Sequence, residues 1–288
     1  MDPEVPAWFA EALAQSHESR EVEVDGARIT YRAWGKPGLP VAVLVHGGAA
    51  HAGWWDHVAP HLTADHRVLA VDLSGHGDSS HRGTYALTTW ADEIMAVAAA
   101  ESPDPPVLLG HSMGGFVVLT AAQQHGTAIR GAAAIDSPVR EMSPEARAWL
   151  ATASDVPGNK TYPDRATILS RFRTLPADDA SLTYVREHLA AGSIRQTGDK
   201  WTWKFDPRIF LRSRMEPEEL AESLCDIALI RGERGMATTD ITDVVAQRLG
   251  RDVPVTVIRD AGHHIMLDQP IALIAVLQTL LGQWRNRE

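Results

Sequence analysis

The feature that most constrains the fold is a repeated pattern of short apolar runs, each closed by a turn rich in glycine or aspartate. A run of this length without polar alternation is typical of a strand buried on both faces of a parallel sheet. The runs are separated by helix-like spacing of apolar residues, as over Leu87–Ala100. The sequence therefore predicts an α/β fold, with a mostly parallel sheet covered by helices on both faces. The runs occupy Val41–Gly48, His66–Ser79, Ile129–Pro138, Cys225–Glu233 and Val253–His264.

Two stretches depart from this regular alternation. Before the first run, polar and apolar residues alternate around Asp25-Gly26, which predicts an antiparallel hairpin. After the run that ends near Asp136, the strand-helix order lapses, and helical segments are predicted over Pro144–Thr152, Asp164–Leu175 and Asp178–Ala191. We expect an α/β core formed by residues 1–136 and 224–288, with about eight strands, and a helical cap inserted at residues 137–223.

The composition of the chain limits the kinds of molecule that we expect it to bind. The 288 residues carry a formal net charge of -10, whereas a nucleic-acid-binding protein favours a basic face. The chain has one cysteine, Cys225, and therefore no intrachain disulfide. The first residues lack the basic and apolar regions of a signal peptide, and no apolar run approaches the roughly 20 residues of a membrane span. We expect a cytoplasmic protein that binds a small molecule, neither nucleic acid nor membrane, as a monomer or a dimer.

The stretch "LLGHSMGGF" places Ser112 between an apolar run and a helical segment. Gly110 and Gly114 permit a strained serine backbone and close approach of strand to helix, which is the setting of a nucleophile elbow. The helix N-terminus presents the backbone N–H of Met113 towards developing negative charge. This turn predicts a catalytic serine, whereas a plain glycine-rich turn is the alternative.

Partners for such a serine follow other strands of the predicted sheet. His263 and His264 come directly after the last apolar run, at the edge where parallel sheets build their sites. The glycines of "LVHGGAAHAGWW" leave backbone N–H groups free, and Gly48 is the expected second donor to an oxyanion, with Ala49 as the next candidate. His46, in the same loop, is expected to anchor it. A histidine base and two N–H donors are what a nucleophilic serine requires.

Taken together, "HGG", "DLSGHGDS", "GHSMGG" and "DAGHHIMLDQP" resemble the α/β-hydrolase superfamily, in that family's own order and over nearly the whole chain. The resemblance implies an α/β-hydrolase fold of the serine esterase and lipase branch, with a helical cap. It implies Ser112 as the nucleophile and His263 as the base, with His264 lining the site or packing nearby.

The acid departs from the usual pattern of the family. Members usually carry an aspartate shortly after the "RG" strand end, where this chain has Gly235. Some lipases and haloalkane dehalogenases of the superfamily take the acid from the end of the strand after the nucleophile helix, which here is Asp136. We expect Asp136 to be the acid, with Glu233 as the alternative and Asp240 third.

A serine with a histidine base suits acyl transfer to water, so we expect a carboxylic ester, lactone or thioester to be cleaved through an acyl-enzyme. The alternatives are a C–C bond hydrolase acting on a diketone-type substrate and a non-catalytic ligand receptor on the same fold. Thirteen histidines invite a metal hypothesis, but none has a recognised ligand spacing. We expect no metal and no cofactor.

Aromatic residues are the candidates for substrate binding. In "WTWKFDP", Trp201, Trp203 and Phe205 alternate, so they share one face if the segment is extended. They form either a packed core of the cap or an apolar wall of the pocket. Trp54 and His264 are expected to contribute to the same pocket. Arg171 and Arg173 fit a substrate carboxylate, although solvated helix positions explain them more simply.

Overall fold

A computed structural model describes residues 5–153, 158–177, 181–212, 215–250 and 253–285. Ten strands lie in these ranges, namely β1 (Glu18–Val24), β2 (Ala27–Trp34), β3 (Val41–Val45), β4 (Arg67–Val71), β5 (Val107–His111), β6 (Gly131–Ile135), β7 (Ile194–Thr197), β8 (Lys200–Trp203), β9 (Asp226–Gly232) and β10 (Val255–Ile258). The helices described are α1 (Ala7–Ala14), α2 (Leu87–Glu101), α3 (Met113–His125), α4 (Pro144–Thr152), α5 (Arg165–Leu169), α6 (Thr183–Gly192), α7 (Thr239–Arg248), α8 (Ile265–Asp268) and α9 (Pro270–Arg285).

Eight of the strands form one sheet in the order β1-β2-β4-β3-β5-β6-β9-β10. Strand β2 runs antiparallel to its neighbours β1 and β4, and the other pairings in this sheet are parallel. The predicted hairpin around Asp25-Gly26 is β1 and β2. The predicted fold class is therefore confirmed, including the number of strands.

Apolar side chains cover the sheet on both faces, which explains the unbroken apolar runs. Along β5, Leu108 belongs to one buried cluster with Trp90 of α2 and Val117 of α3. Its neighbour Leu109 belongs to the cluster on the other face, with Leu277 of α9. Because successive strand residues point to opposite faces, a polar residue in these strands would be buried on one side or the other.

The segment between β6 and β9 holds α4 to α6 and the two-stranded sheet β7-β8. Hydrogen bonds tie it to the strand-end loops, with Gly77 N donating to Lys204 O at 2.7 Å and Asp206 N donating to Gly75 O at 2.7 Å. Tyr85 Oη also donates to Asp206 Oδ2 at 2.8 Å. These contacts hold the segment over the carboxyl ends of the strands. Its division from the core at residues 137 and 223 stays a prediction.

Two predicted helices are shorter or tighter than expected. From the sequence we also expect a short helix over Trp54–Leu62, and the structure has two 3-10 turns there, Ala52–Trp55 and Ala59–Leu62, with Pro60 in the first turn of the second. A helix is predicted over Asp164–Leu175, but α5 ends at Leu169. Beyond it, the N–H groups of Arg171 and Phe172 donate to carbonyls three residues earlier, which is not the α-helical pattern. The predicted helix Asp178–Ala191 starts at residues outside the described part of the chain, within which α6 begins at Thr183.

The N-terminal helix α1 was not expected from the sequence. Its Phe9 is buried against the face of the sheet that α9 also covers. Among the described helices, none combines the length and apolar character needed to cross a membrane.

Candidate active site

Ser112 occupies the sharp turn between β5 and α3. Its backbone has φ 53° and ψ −115°, in a region that non-glycine residues rarely adopt. A Cβ on Gly110 would lie 2.1 Å from Gly114 O, and one on Gly114 would lie 2.4 Å from Val45 O. The two flanking glycines are therefore required by close backbone approach, and the turn presents the serine side chain at the end of the sheet.

A continuous chain of hydrogen bonds connects this serine to a buried carboxylate. His263 Nε2 lies 3.0 Å from Ser112 Oγ, and His263 Nδ1 lies 2.6 Å from Asp136 Oδ2. An ionised carboxylate only accepts hydrogen bonds, so a neutral His263 carries its proton on Nδ1. That tautomer leaves Nε2 free to accept the hydroxyl proton of Ser112. The structure thus brings together the three residues expected to form the triad.

Asp136 is fixed by the two strands on either side of it. It lies just after β6 with φ 44°, is fully buried, and its N–H donates to Ile230 O at 2.7 Å. Its carboxylate accepts from Gly232 N at 3.1 Å and from Met236 N at 2.7 Å, besides His263. A buried carboxylate needs such partners, and three donors orient it towards the histidine.

The glycine found in place of the usual acid is matched to Asp136. A Cβ on Gly235 would lie 2.0 Å from Asp136 Oδ1. A side chain at position 235 and the carboxylate of Asp136 therefore compete for the same space. This steric exclusion gives a physical reason for the departure noted in the sequence.

The alternative acids lie elsewhere. Glu233 is exposed, and its Oε2 accepts a hydrogen bond from Asp260 N at 3.0 Å. Asp240 is exposed in the first turn of α7, where its Oδ1 accepts from Thr238 Oγ1 at 2.5 Å. In the described residues neither carboxylate hydrogen-bonds to His263, so the geometry does not support these two alternatives.

Two backbone N–H groups border Ser112. Met113 is the first residue of α3, and Gly48 follows β3 in a loop that passes close to the serine. A Cβ on Gly47 would lie 3.3 Å from Ser112 Cβ, and one on Gly48 would lie 3.7 Å from Met113 Sδ. Within the described residues neither Met113 N nor Gly48 N donates a hydrogen bond. The positions suit two donors to a negatively charged oxygen.

His46 anchors the loop, as expected. Its Nδ1 donates to Gly47 O at 2.7 Å, and its Nε2 accepts from Leu73 N at 3.2 Å. Burial lowers the pKa of His46, so the neutral ring that these two bonds require is favoured. This histidine therefore fixes the loop that carries Gly48 and holds no free ring nitrogen for proton transfer.

His111 is a contributor that the sequence reasoning missed. Its Nε2 donates to the backbone carbonyl of His263 at 2.9 Å, which ties β5 to the loop carrying the expected base. Burial lowers the pKa of His111 well below its ordinary value. The only signal was its place next to Ser112 in the turn, because its partner lies 152 positions away.

A cavity of about 1080 Å³ opens onto these residues, and much of its lining comes from the segment between β6 and β9. Of the predicted substrate-binding residues, Trp54, Trp203 and His264 line it, and so does Phe205. Trp201 does not line it. Trp201 lies near the start of β8, where its backbone pairs with Tyr162. The walls are mainly aromatic and aliphatic, as in small-molecule sites.

Three histidine side chains lie close enough together to resemble a metal site. Single ring nitrogens of His111, His263 and His264 lie within 4.8 Å of one another. Both ring nitrogens of His263 already face Asp136 and Ser112. A metal ion bound through a ring nitrogen of His263 would therefore replace its hydrogen bond to Ser112 or to Asp136.

Comparison with known proteins identifies the family to which the chain belongs. The model of the alpha/beta hydrolase family matches residues 42–276. Esterase Rv0045c of Mycobacterium tuberculosis is 25% identical over 269 residues, covering 91% of this chain and 89% of that protein. The 2-(acetamidomethylene)succinate hydrolase of Mesorhizobium japonicum is 26% identical over 265 residues, covering 89% of this chain and 93% of that protein.

Solved structures show the same fold. A thioesterase domain from the curacin biosynthetic pathway superposes with a TM-score of 0.79 at 24% identity, covering 91% of this chain and 99% of that domain. The family match extends over most of the chain, from β3 into α9, and confirms the resemblance seen in the sequence motifs. The chain therefore belongs to the alpha/beta hydrolase family and is a hydrolase.

Proposed function

We propose that the protein cleaves a small-molecule carboxylic ester, lactone or thioester, with Ser112 as nucleophile, His263 as general base and Asp136 as the orienting acid. The observation that carries this proposal is the unbroken hydrogen-bond chain from Ser112 Oγ through His263 to Asp136 at the wall of the cavity. Full-length and partial relatives named as esterases or lipases support ester hydrolysis in the broad sense.

Acylation begins when the substrate carbonyl lies between Ser112 Oγ and the two N–H groups. His263 Nε2 takes the hydroxyl proton as Oγ attacks the carbonyl carbon, and the imidazolium is stabilised by Asp136. The carbonyl oxygen becomes negatively charged and accepts hydrogen bonds from Met113 N and Gly48 N. His263 then gives its proton to the leaving alcohol or thiol, and the acyl group stays on Ser112.

Deacylation repeats these steps with water as the nucleophile. His263 Nε2 takes a proton from the water, which attacks the acyl carbon and forms a second oxyanion in the same place. Collapse of that intermediate returns the proton to Ser112 Oγ and releases the acid. Asp136 stays ionised throughout and keeps the Nδ1 proton of His263 in place.

The test is hydrolysis of p-nitrophenyl acetate and a panel of esters, lactones and thioesters by wild type and by Ser112→Ala. We expect turnover by wild type and its loss in Ser112→Ala. The matched control is Ser137→Ala, since Ser137 is a nearby buried serine that donates to Ile135 O and does not contact His263 in the described contacts. Equal turnover by wild type and Ser112→Ala would remove the proposal.

The panel includes a β-diketone, because the same three residues serve C–C bond hydrolysis. Cleavage of the diketone with no ester turned over would replace ester hydrolysis with that reaction. Saturable binding of these compounds without turnover would instead support a ligand receptor.

A further inference from the structure

The cavity is cationic although the chain is acidic. The formal net charge of the whole chain is -10, whereas the residues lining the cavity include four arginines and one carboxylate, Glu141. The arginines are Arg140, Arg171, Arg173 and Arg212. All four lie in the segment between β6 and β9, so this positive charge comes from the part of the chain that covers the site.

Three of these arginines lack an acidic partner. In the described part of the chain, no carboxylate forms a salt bridge with Arg140, Arg171 or Arg173. Other arginines of this protein are paired, for example Arg67 with Glu101 at 2.9 Å and Arg82 with Glu93 at 2.8 Å. The charges of Arg140, Arg171 and Arg173 are therefore not neutralised by a salt bridge within the described residues.

These arginines differ from the reacting groups in their exposure to solvent. Arg140, Arg171 and Arg173 are exposed, whereas His263, which hydrogen-bonds to Ser112, is buried. Arg173 Nη1 is partly engaged, donating to the carbonyl of Phe172 at 2.6 Å. Within the described residues the side chains of Arg140 and Arg171 make no hydrogen bond, so these two are the most available to a charged group of a ligand.

Aromatic side chains line the same cavity as the arginines. Phe172, Trp203 and Phe205 line the cavity together with the arginines and Ser112. A substrate that fills this space has an apolar middle, with its scissile carbonyl at Ser112 and a polar end near solvent. An anionic end would meet the planar guanidinium groups, which bind carboxylate and phosphate in paired hydrogen bonds.

We propose that the enzyme selects substrates that carry an anionic group, a carboxylate or a phosphate, at the end remote from the scissile carbonyl, bound by Arg140 and Arg171. This inference rests on the proposed ester hydrolysis and adds to it the substrate class. The carboxylate of Glu141 adds negative charge to the same lining, so the net attraction depends on both arginines.

The test compares matched substrates in kcat/KM. One arm uses monomethyl esters of dicarboxylic acids from adipate to sebacate, and its neutral counterpart replaces the carboxylate with an isopropyl group, which has the same number of heavy atoms. A second arm uses methyl esters that end in a phosphate monoester. We expect wild type to favour one charged arm over the neutral esters by about tenfold at low salt, with the preference falling as salt is added.

Two variants and a control locate the effect. Arg140→Gln and Arg171→Gln should each lower the charged-to-neutral ratio of kcat/KM by about fivefold, mainly through KM, as expected for a single exposed ion pair. Arg165→Gln removes an exposed arginine of α5 that does not line the cavity, and should leave the ratio unchanged.

Failure of this inference differs from failure of the proposed reaction. Neutral esters turned over as well as both charged arms, or a ratio unaffected by Arg140→Gln and Arg171→Gln, would overturn the anionic subsite and leave ester hydrolysis intact. If no ester is turned over, calorimetry of the same compounds with Ser112→Ala gives the binding preference directly. Equal affinity for charged and neutral compounds there would also overturn the inference.

Discussion

Replacement of Asp136 by asparagine tests the assignment of the acid. In the structure, Asp136 Oδ2 accepts from both His263 Nδ1 and Met236 N, and Oδ1 accepts from Gly232 N. An asparagine has one acceptor oxygen and one NH₂ group in these two places. In either orientation of the amide, its NH₂ faces at least one N–H that has lost its acceptor.

The consequence for His263 follows from these donors. If the amide NH₂ of Asp136→Asn faces the histidine, the ring must move its proton to Nε2 so that Nδ1 accepts. Nε2 then cannot take the proton of Ser112. If the amide oxygen faces the histidine instead, the imidazolium loses the charge that stabilises it, and Gly232 N–H lies against NH₂. In both arrangements the His263 side chain is still present, but it is less able to accept the proton of Ser112.

We expect Asp136→Asn to lower kcat by about 10³- to 10⁴-fold, as the loss of an orienting carboxylate does in serine protease triads. This corresponds to about 4–5.5 kcal/mol of lost transition-state stabilisation. The assay is steady-state hydrolysis of p-nitrophenyl acetate, with circular dichroism to establish that the variant is folded.

The control for Asp136→Asn is Glu233→Gln, which changes the exposed carboxylate that accepts from Asp260 N. Its kcat should stay within about twofold of wild type, because surface changes of this kind are small. A folded Asp136→Asn variant that keeps more than about a tenth of wild-type kcat, with activity lost in Glu233→Gln, would refute the assignment.

Three further outcomes follow from the same structure. Gly235→Ala should lower kcat at least about tenfold, because its Cβ would lie 2.0 Å from Asp136 Oδ1, whereas Gly83→Ala meets open space and should match wild type in the same assay. Trp203→Ala should raise KM for long-chain esters several-fold more than KM for acetate esters, measured as a chain-length series, since it removes apolar wall from the cavity. Burial lowers the pKa of His57 to about 4, so between pH 6.5 and pH 4 the unfolded chain binds a proton at this residue and the folded protein does not. The contribution of His57 to the free energy of unfolding is therefore present above pH 6.5 and is lost as pH falls towards 4. The loss is about 3 kcal/mol, and urea unfolding across that range should show a shallower pH dependence for His57→Gln, with an unchanged dependence contradicting the reasoning.

The local structure around Ser112 was predictable because it depends on residues that are close together in the sequence. Glycines two positions before and after the serine dictate a tight strand-to-helix turn, and Gly110 and Gly114 are the positions where a Cβ would collide with backbone oxygen. The apolar run before the turn predicted β5, and the helix after it is α3. Local sterics were sufficient here.

The choice of acid needed tertiary information. The sequence offered Asp136, Glu233 and Asp240 near strand ends, and nothing local distinguishes their distance from His263. The pairing of β6 with β9 decides it, since it sets Asp136 against Gly232 and Gly235. The empty Cβ position at Gly235 is the complementary feature, and it has meaning only once the two loops are adjacent.

The segment between β6 and β9 was the least predictable part of the structure. Trp201 and Trp203 have the same spacing pattern in the sequence, yet Trp203 lines the cavity and Trp201 does not. The backbone of Trp201 pairs with Tyr162, and such contacts between residues far apart in the chain are not visible in the local sequence pattern. The same limit applies to His111, whose partner is the backbone carbonyl of His263.

The nucleophile is identified most directly by the site of covalent modification by a fluorophosphonate, read by mass spectrometry of the digested protein. We predict one adduct on the peptide that contains Ser112, none in folded Ser112→Ala, and much slower labelling in Asp136→Asn. An adduct on another residue, or a folded wild-type protein that the reagent leaves unmodified, would contradict the assignment of Ser112 as the nucleophile.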